Sequence, residues 1–479
     1  MLQTLKNAWR TQEIRKKILF TIMILLLYRI GTVIPVPFVD SSNFSQNFGG
    51  TILDYMNILS GGSLATATLF ALGVQPYINA SIIIQLLAVA FPKLGELAKS
   101  GDEGKKKMNM ITRITTIVIA LVTAIGYYML LSRNGMLTAS AQRGNSGFYW
   151  FVCAAIIVVC YCAGASLIMW LGEKINDKGI GNGISMILFA NIVSTIPSFL
   201  IKLVSLVVDC FSYDSAYIAK CASVAIVFAL FIIAFIIATF VFIIYITGSE
   251  RRIPIQYAKR VVGRKMYGGQ SSNLPIKLNM TGVMPIIFAS SIVSLPITIM
   301  ALCNVSASGT GFWSSVYRVL NTDGAVYPIC LFLLIIFFTY FYTQISFNPI
   351  EIANNLKKQG GVIHGIRQGR PTAEYISKIL SKITLVGALF LGIIAIIPTV
   401  GGPLVVEPIL RFILSGSLEG QYAASNQYYQ LILDSEVSSF ASAFTFGGTT
   451  LLIMVGVALE TFRELEAQLT MRSYKGFLN

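Results

Sequence analysis

Long apolar segments separated by polar loops constrain this chain more than any other feature of its sequence. A helix that crosses a bilayer needs about 20 mostly apolar residues, and a series of segments meets that condition. The strands of membrane barrels are shorter and alternate in polarity, so these run lengths predict helices. The predicted spans are 18–36, 75–92, 111–131, 149–170, 184–203, 222–247, 282–302, 327–347, 379–398 and 440–460.

The basic residues are distributed unevenly between the loops. Most of the 36 Lys and Arg residues lie before span 1, in every second loop, or after span 10. Because loops rich in Lys and Arg stay on the cytoplasmic side, both termini are predicted to be cytoplasmic. The net charge of +15 then reflects topology and attraction to anionic lipids. Two basic loops, 248–281 and 348–378, are longer and more patterned than topology alone requires.

The spans divide into two groups of five. An odd number in each group means that the second group enters the membrane in the opposite sense, which is the arrangement of an inverted repeat with its functional site between the halves. The predicted fold is therefore all-α: a polytopic membrane protein with ten transmembrane helices in two inverted, pseudo-symmetric halves around a central pore. The halves are predicted at 1–203 and 204–479.

The second apolar element is interrupted. It runs from residue 60 to 87, which is too long for one span, and Gly73 and Pro76 break it. This predicts a short helix over 61–72, followed by span 2. Its many small residues favour close packing inside the protein, on the outer side, over the alternative of a helix lying on the lipid surface.

The spans carry few groups that do chemistry. Arg29 is the only charge predicted deep within a span, and the single histidine, His364, lies in a loop. Ion-coupled transporters usually place ionisable residues near the bilayer midplane. No phosphate-binding loop, metal cluster or catalytic pair is evident, so no enzyme activity, cofactor or metal is expected. Cys210 and Cys221 share an outer loop, where they either pair or remain free thiols.

Five strings, in order and over most of the chain, resemble the SecY family, the central subunit of bacterial protein-conducting channels, which is homologous to the α subunit of the eukaryotic Sec translocon. They are the broken element already described, WLGEKINDKGIGNGIS at 170–185, NMTGVMPIIFASSI at 279–292, FNPIEIANNLKKQGGVIHGIRQGRPTAEYI at 347–376 and FGGTTLLIMVGVALE at 446–460.

The resemblance implies a ring of aliphatic side chains that closes a pore, and such an apolar constriction excludes ions by dewetting. The ring residues would be Val74, Ile78, Ile184, Leu188, Ile287 and Ile453. The segment after residue 60 would be the plug below the ring, with the residues Gly61, Gly62, Ser63, Leu64, Ala65 and Leu69. For the ring residues, the sequence without the resemblance favours ordinary core or lipid-facing aliphatics.

The resemblance also implies that the two long basic loops bind the ribosome and the motor ATPase SecA. The docking residues would be Arg251, Arg252, Lys259, Arg260, Arg264, Lys265, Arg367 and Arg370. Gln368 stands where the family usually has proline, which leaves the rigidity of the second loop open. A solvated surface that attracts lipid is the alternative.

The function implied is a passive, gated channel. Signal peptides and nascent polypeptides would enter it, secretory chains would cross the bacterial plasma membrane, and apolar segments would leave sideways between spans 2–3 and 7–8. The implied partners are SecE-like and SecG-like membrane subunits, SecA, the ribosome and anionic lipids. Two alternatives remain: an inverted-repeat transporter for a small solute, and a lipid scramblase or insertase without a full pore. The long outer loop at 399–439 has no assigned role.

Overall fold

The computed structural model describes most of the chain. The described residues are 2–40, 52–133, 135–138, 147–210, 215–257, 260–262, 265–267, 271–302, 311–320, 326–401 and 448–475. Nearly all of the loop at 399–439 and the side chains of Cys210 and Cys221 lie outside the described part, so the expectations about them remain untested.

Helices make up most of the described chain. In order they are α1 (Leu2–Arg10), α2 (Gln12–Gly31), α3 (Ile52–Leu59), α4 (Gln75–Ala90), α5 (Pro92–Lys99), α6 (Asp102–Arg133), α7 (Gly147–Lys178), α8 (Gly183–Cys210), α9 (Ser215–Gly248), α10 (Met284–Leu302), α11 (Phe312–Leu320), α12 (Val326–Ser346), α13 (Pro349–Lys358), α14 (Arg370–Gly401) and α15 (Thr449–Lys475).

Every predicted span overlaps one of these helices. Within the described residues, 6 helical stretches are long and apolar enough to cross a membrane, and α4 and α10 contain shorter apolar stretches. Helices α2 and α15 cover the predicted first and last spans. The prediction of a many-spanning helical membrane protein is confirmed, and ten spans are consistent with these helices.

The first span ends earlier than predicted. Helix α2 stops at Gly31, where the Thr32 amide donates to the Tyr28 carbonyl. Beyond it, Pro35 forms an isolated antiparallel bridge with Thr68. Arg29 therefore lies in the last turn of α2, near its C-terminal end, rather than deep within a span.

The short helix predicted over 61–72 is wrong. Helix α3 ends at Leu59, and residues 60–74 form successive turns that lead into α4. Gly61 and Gly62 have φ of +69° and +88°, a conformation that ends a helix and favours glycine. The predicted burial of the segment is correct for Ser63 and Leu64, which are buried.

The two long basic loops contain strands that were not predicted from the sequence. Their bounds are β1 (Glu250–Tyr257), β2 (Arg260–Val262), β3 (Lys265–Tyr267), β4 (Ser271–Lys277) and β5 (Gly361–Ile363). Strand β1 pairs antiparallel with β4 on one side and with β5 on the other, and β2 pairs with β3. The loops at 248–281 and 348–378 thus share one three-stranded sheet.

The core of the bundle is one large apolar cluster. It joins buried side chains of α2, α3, α4, α7, α8, α9, α10, α11, α12, α14 and α15. A second cluster joins the turns after α3 to α6 and α7. A third packs the sheet against α13 and α14. The first cluster spans both predicted halves; α8, the last helix of the first half, continues past residue 203 to Cys210.

Candidate functional site: an apolar constriction and its outer segment

All the predicted ring residues are buried in the same large apolar cluster. Their exposed fractions are Val74 2%, Ile78 4%, Ile184 8%, Leu188 2%, Ile287 5% and Ile453 1%. They belong to the N-terminal turns of four helices, α4, α8, α10 and α15, with Val74 capping α4. The structure therefore brings together, in one cluster, the aliphatic side chains that the sequence assigned to a ring.

A close helix contact brings two of these helices together. Gly456 in α15 faces Val283, the residue before α10, and a Cβ at Gly456 would lie 2.1 Å from Val283 Cγ1. Only glycine permits so close a contact. Helix α15, which carries Ile453, and helix α10, which carries Ile287, therefore lie close together. The site is aliphatic and binds no particular side chain, which suits a passage for chains of varied sequence.

Helix α3 lies beside this cluster. Leu59, its last residue, is buried within the same cluster as the ring residues. Helix α3 packs against α8 of the first half and α10 of the second, and the Thr298 hydroxyl of α10 lies 3.2 Å from Met56 Sδ. The helix therefore bridges the two predicted halves next to the constriction.

The turns that follow α3 are held by a different wall. The Tyr127 hydroxyl donates to the Leu64 carbonyl at 2.6 Å, and the Tyr161 hydroxyl donates to the Ala67 carbonyl at 3.3 Å. The Leu69 amide donates to the Ile34 carbonyl at 2.9 Å. Leu64 accordingly belongs to the second apolar cluster, with α6 and α7. Of the predicted plug residues, Gly61 and Gly62 lie at the turn next to α3, while Leu64 and Leu69 are fixed to the wall.

Polar contacts cross the seam between α4 and the second half. The Tyr342 hydroxyl of α12 donates to Gln85 Oε1 of α4, and Gln85 Nε2 donates to Ser81 Oγ at 3.1 Å. Nearer the constriction, Ser291 Oγ of α10 lies 3.5 Å from Gln75 Oε1. These contacts lie at the predicted sideways exit, where α4 faces α10 and α12.

The predicted docking residues divide into paired and unpaired arginines. Arg252 pairs with Glu250 at 2.8 Å and Arg370 pairs with Glu374 at 3.0 Å. Arg251 and Arg367 are exposed, and neither has an acidic partner within the described part of the chain. Lys259 and Arg264 lie outside the described residues. Arg260 and Lys265 lie in β2 and β3, and their side chains are not described.

The second basic loop is tied down without the family's usual proline. Gln368 Nε2 donates to the Gly361 carbonyl at 3.3 Å, which closes the loop onto β5. The Thr372 hydroxyl donates to the Arg367 carbonyl at 2.8 Å. Strand β5 is itself hydrogen-bonded to β1. Side-chain bonds thus fix the backbone around Arg367, and this answers the question of rigidity that Gln368 raised.

The base of the sheet lies near the C-terminal half of α15. Burial and the neighbouring Arg463 guanidinium lower the pKa of Lys277 at the end of β4, while Glu250 acts in the opposite direction. Arg463 also donates to the Thr247 carbonyl at 2.6 Å. The Arg463 bond joins α15 to the end of α9, and the Leu278 amide after β4 donates to the Ser249 carbonyl after α9 at 3.0 Å.

A many-spanning helical bundle whose core is one large, mostly aliphatic cluster is the fold of an integral membrane protein. The SecY family profile matches residues 68–462. Protein translocase subunits SecY of Streptomyces galbus and Mycobacterium tuberculosis are 39% and 38% identical to the chain, each over 100% of both sequences. The chain belongs to the SecY family.

Solved structures agree on the fold. A protein-conducting channel superposes with a TM-score of 0.57 at 17% identity, covering 95% of this chain and 92% of that one. Sec61 from a canine ribosome–channel complex of the endoplasmic reticulum gives 0.57 at 16% identity with the same coverage. Yeast Ssh1, in a complex bound to the 80S ribosome, gives 0.53 and covers 81% of this chain and 85% of that one.

Proposed function

We propose that this chain is the channel subunit of a protein translocase, which passes unfolded secretory polypeptides across the bacterial plasma membrane and releases apolar segments into it. The burial of the ring residues Val74, Ile78, Ile184, Leu188, Ile287 and Ile453 in one cluster at the starts of four helices carries the proposal. An aliphatic constriction blocks hydrated ions yet offers no specific bond to a passing chain. A small-solute transporter would need polar or ionisable groups at this depth, and family membership does not support that alternative.

The outer segment that blocks the resting pore is best assigned to α3 and the turn at Gly61–Gly62. Leu59 is buried in the apolar cluster of the ring, whereas Leu64 is buried in the cluster with α6 and α7. Leu69 packs against the ring cluster, but its amide is bonded to the Ile34 carbonyl in the chain after α2. A mobile plug has to release its contacts cheaply. We therefore shift the proposed plug towards the N-terminus, from 61–72 to 52–62.

The proposed partners follow from the two basic loops and from the resemblance to the SecY family. Arg251 in β1 and Arg367 in the loop after β5 have no acidic partner among the described residues, and they suit an acidic protein groove or ribosomal RNA phosphates. Ribosome-bound relatives of similar fold support the ribosome as a partner. The other proposed partners are SecA, SecE-like and SecG-like subunits, signal peptides and anionic lipids. Cytoplasmic termini and the division at 1–203 and 204–479 rest on the charge alternation.

The decisive experiment is translocation into vesicles. The purified chain, reconstituted with SecE-like and SecG-like subunits, receives SecA, ATP and a radiolabelled secretory precursor, and protease protection of the precursor is measured. Protection that requires both the chain and the signal sequence is the expected result. Uptake of a small solute without protection of any precursor would contradict the proposal and favour a transporter. Lipid exchange without protection would favour a scramblase.

A further inference from the structure

A polar cluster surrounds the turn at which α3 ends. Asn191 in α8 is fully buried, with 0% of its surface exposed. Its Nδ2 donates to the Leu59 carbonyl at 2.8 Å and to the Tyr28 hydroxyl at 2.9 Å. One buried amide thus connects α2, α3 and α8, and it holds the last residue of α3 in place.

Two buried polar atoms beside this turn lack partners among the described residues. They are Asn191 Oδ1, an acceptor, and Arg29 Nη1, a donor. Buried groups of this kind are almost always hydrogen-bonded, because leaving one unpaired costs the full desolvation of the group. The two atoms are chemically complementary, yet they are not bonded to each other.

Gly61 lies beside both atoms. A Cβ built on Gly61 would lie 2.7 Å from Asn191 Oδ1 and 2.8 Å from Arg29 Nη1. Gly61 has a φ of +69°, and the position that its missing side chain would take lies against both atoms. Because both atoms lie so near the same point, a change of Arg29 rotamer is enough to join them once Gly61 moves away.

We propose that Arg29 and Asn191 are positioning residues that form a two-position catch for this segment. With the segment in place, Asn191 binds Leu59 and Arg29 is kept apart from it. When the segment leaves, Arg29 Nη1 donates to Asn191 Oδ1. The inference rests on the proposed function, in which α3 leaves the pore. Each end state forms a bond that the other lacks, so the catch favours the fully closed and fully open positions over intermediate ones.

The first test removes the bond of the open state alone. Arg29→Met keeps the length of the side chain but removes the donor. In planar bilayers, a synthetic signal peptide with an apolar central region should open this variant about tenfold less often than the parent channel, the size of effect that a charged hydrogen bond gives. Arg29→Lys, which keeps a donor, should restore opening. A merely structural role would instead lower the melting temperature of both variants.

The second test disturbs the closed state with a matched pair. Gly61→Ala places a methyl group between Arg29 and Asn191 at a φ of +69°, and should raise resting conductance. Gly62→Ala imposes comparable backbone strain at a φ of +88°, but its Cβ would have no atom within 4 Å. The difference in resting conductance between the two variants therefore measures the effect of the added methyl group on Arg29 and Asn191. Equal conductance of the two would overturn the catch.

A third variant separates the catch from the proposed function. Residues 52–59 are replaced by a Gly-Ser linker of equal length. If resting conductance does not rise, α3 is not the plug and the proposed function of the segment fails. If it rises while Arg29→Met opens as readily as the parent, only the catch is overturned. If Arg29→Met raises resting conductance, Arg29 stabilises the closed state and the catch is also overturned.

Discussion

Single side chains decide whether the constriction stays dry. The ring residues are aliphatic and nearly free of solvent, so the closed pore depends on the absence of polar atoms from one short zone. An amide placed there should bind water, because a polar group in an apolar site costs about 1–3 kcal/mol when it has no hydrogen-bond partner.

Ile78→Asn and Ile287→Asn should therefore make the resting channel leak ions. If water entering the constriction offsets the cost of the unpartnered amide, the resting conductance should rise by about tenfold or more. Single-channel recording in planar bilayers measures it. Leu333→Asn is the matched control, since Leu333 is 59% exposed on α12 and faces away from the core. Unchanged conductance in both ring variants would contradict the role of the ring.

Charge at the tip of the second basic loop can also be tested residue by residue. Arg367→Glu should weaken SecA or ribosome binding by about 2–5 kcal/mol, because like charges then meet at the interface. Lys357→Glu reverses a charge on nearby α13, where Lys357 is exposed, and it serves as the control. Binding is measured with reconstituted protein at fixed salt. Equal affinities for both variants and the parent would leave Arg367 as a determinant of topology only.

Among the structural elements, α3 and the turns after it behave differently. The turns at 62–71 are hydrogen-bonded to α6, to α7 and to the chain after α2, whereas α3 packs across the two halves. We expect a Gly-Ser replacement of 52–59 to yield an assembled, leaky channel that accepts defective signal sequences. Deletion of 62–71 should instead reduce the amount of folded protein. Abundance after detergent extraction and precursor protection distinguish the two outcomes, and a normal yield of the 62–71 deletion would contradict the wall assignment.

The sequence predicted the spans well because long apolar runs leave little choice of structure in a bilayer. It also carried a signal for α3 that was overlooked. Ile52, Tyr55, Met56 and Leu59 recur at helical spacing, but the small residues after Gly61 drew the predicted helix downstream. The side-chain bonds that fix residues 64–69 to distant tyrosines depend on tertiary contacts, and no local pattern could reveal them.

The sheet was missed for a similar reason. Ile253 and Ile255 in β1 alternate with exposed residues, as do Leu274 and Ile276 in β4, which is the period-two pattern of a strand. Pro254 and Pro275 argue against strands when considered alone. The pairing of β5 with β1 joins segments about a hundred residues apart, so it could not be read from either loop by itself.

At the scale of the whole molecule, polar contacts between described residues cross the seam between α4 and the second half. The Tyr342–Gln85 bond crosses it, whereas the Tyr340 hydroxyl bonds to the Ser381 carbonyl at 3.2 Å within the second half. Tyr342→Phe should lower the hydrophobicity that a segment needs to exit into lipid, since it removes a net contribution of about 0.5–1.5 kcal/mol to closure. Tyr340→Phe is the control. Membrane integration of a graded series of Leu/Ala segments measures the threshold, and identical thresholds would show that the bond does not contribute to closure.

The shared sheet has a mechanical consequence. Strands from two separate loops are bonded into one body, and that body packs on α14 through Ile376, Leu380 and Ile383. A force applied to either loop therefore acts on the same membrane helix, α14. A motor bound to one loop and a ribosome bound to the other would both move the sheet and α14. The two partners would therefore compete for control of this movement as well as for space.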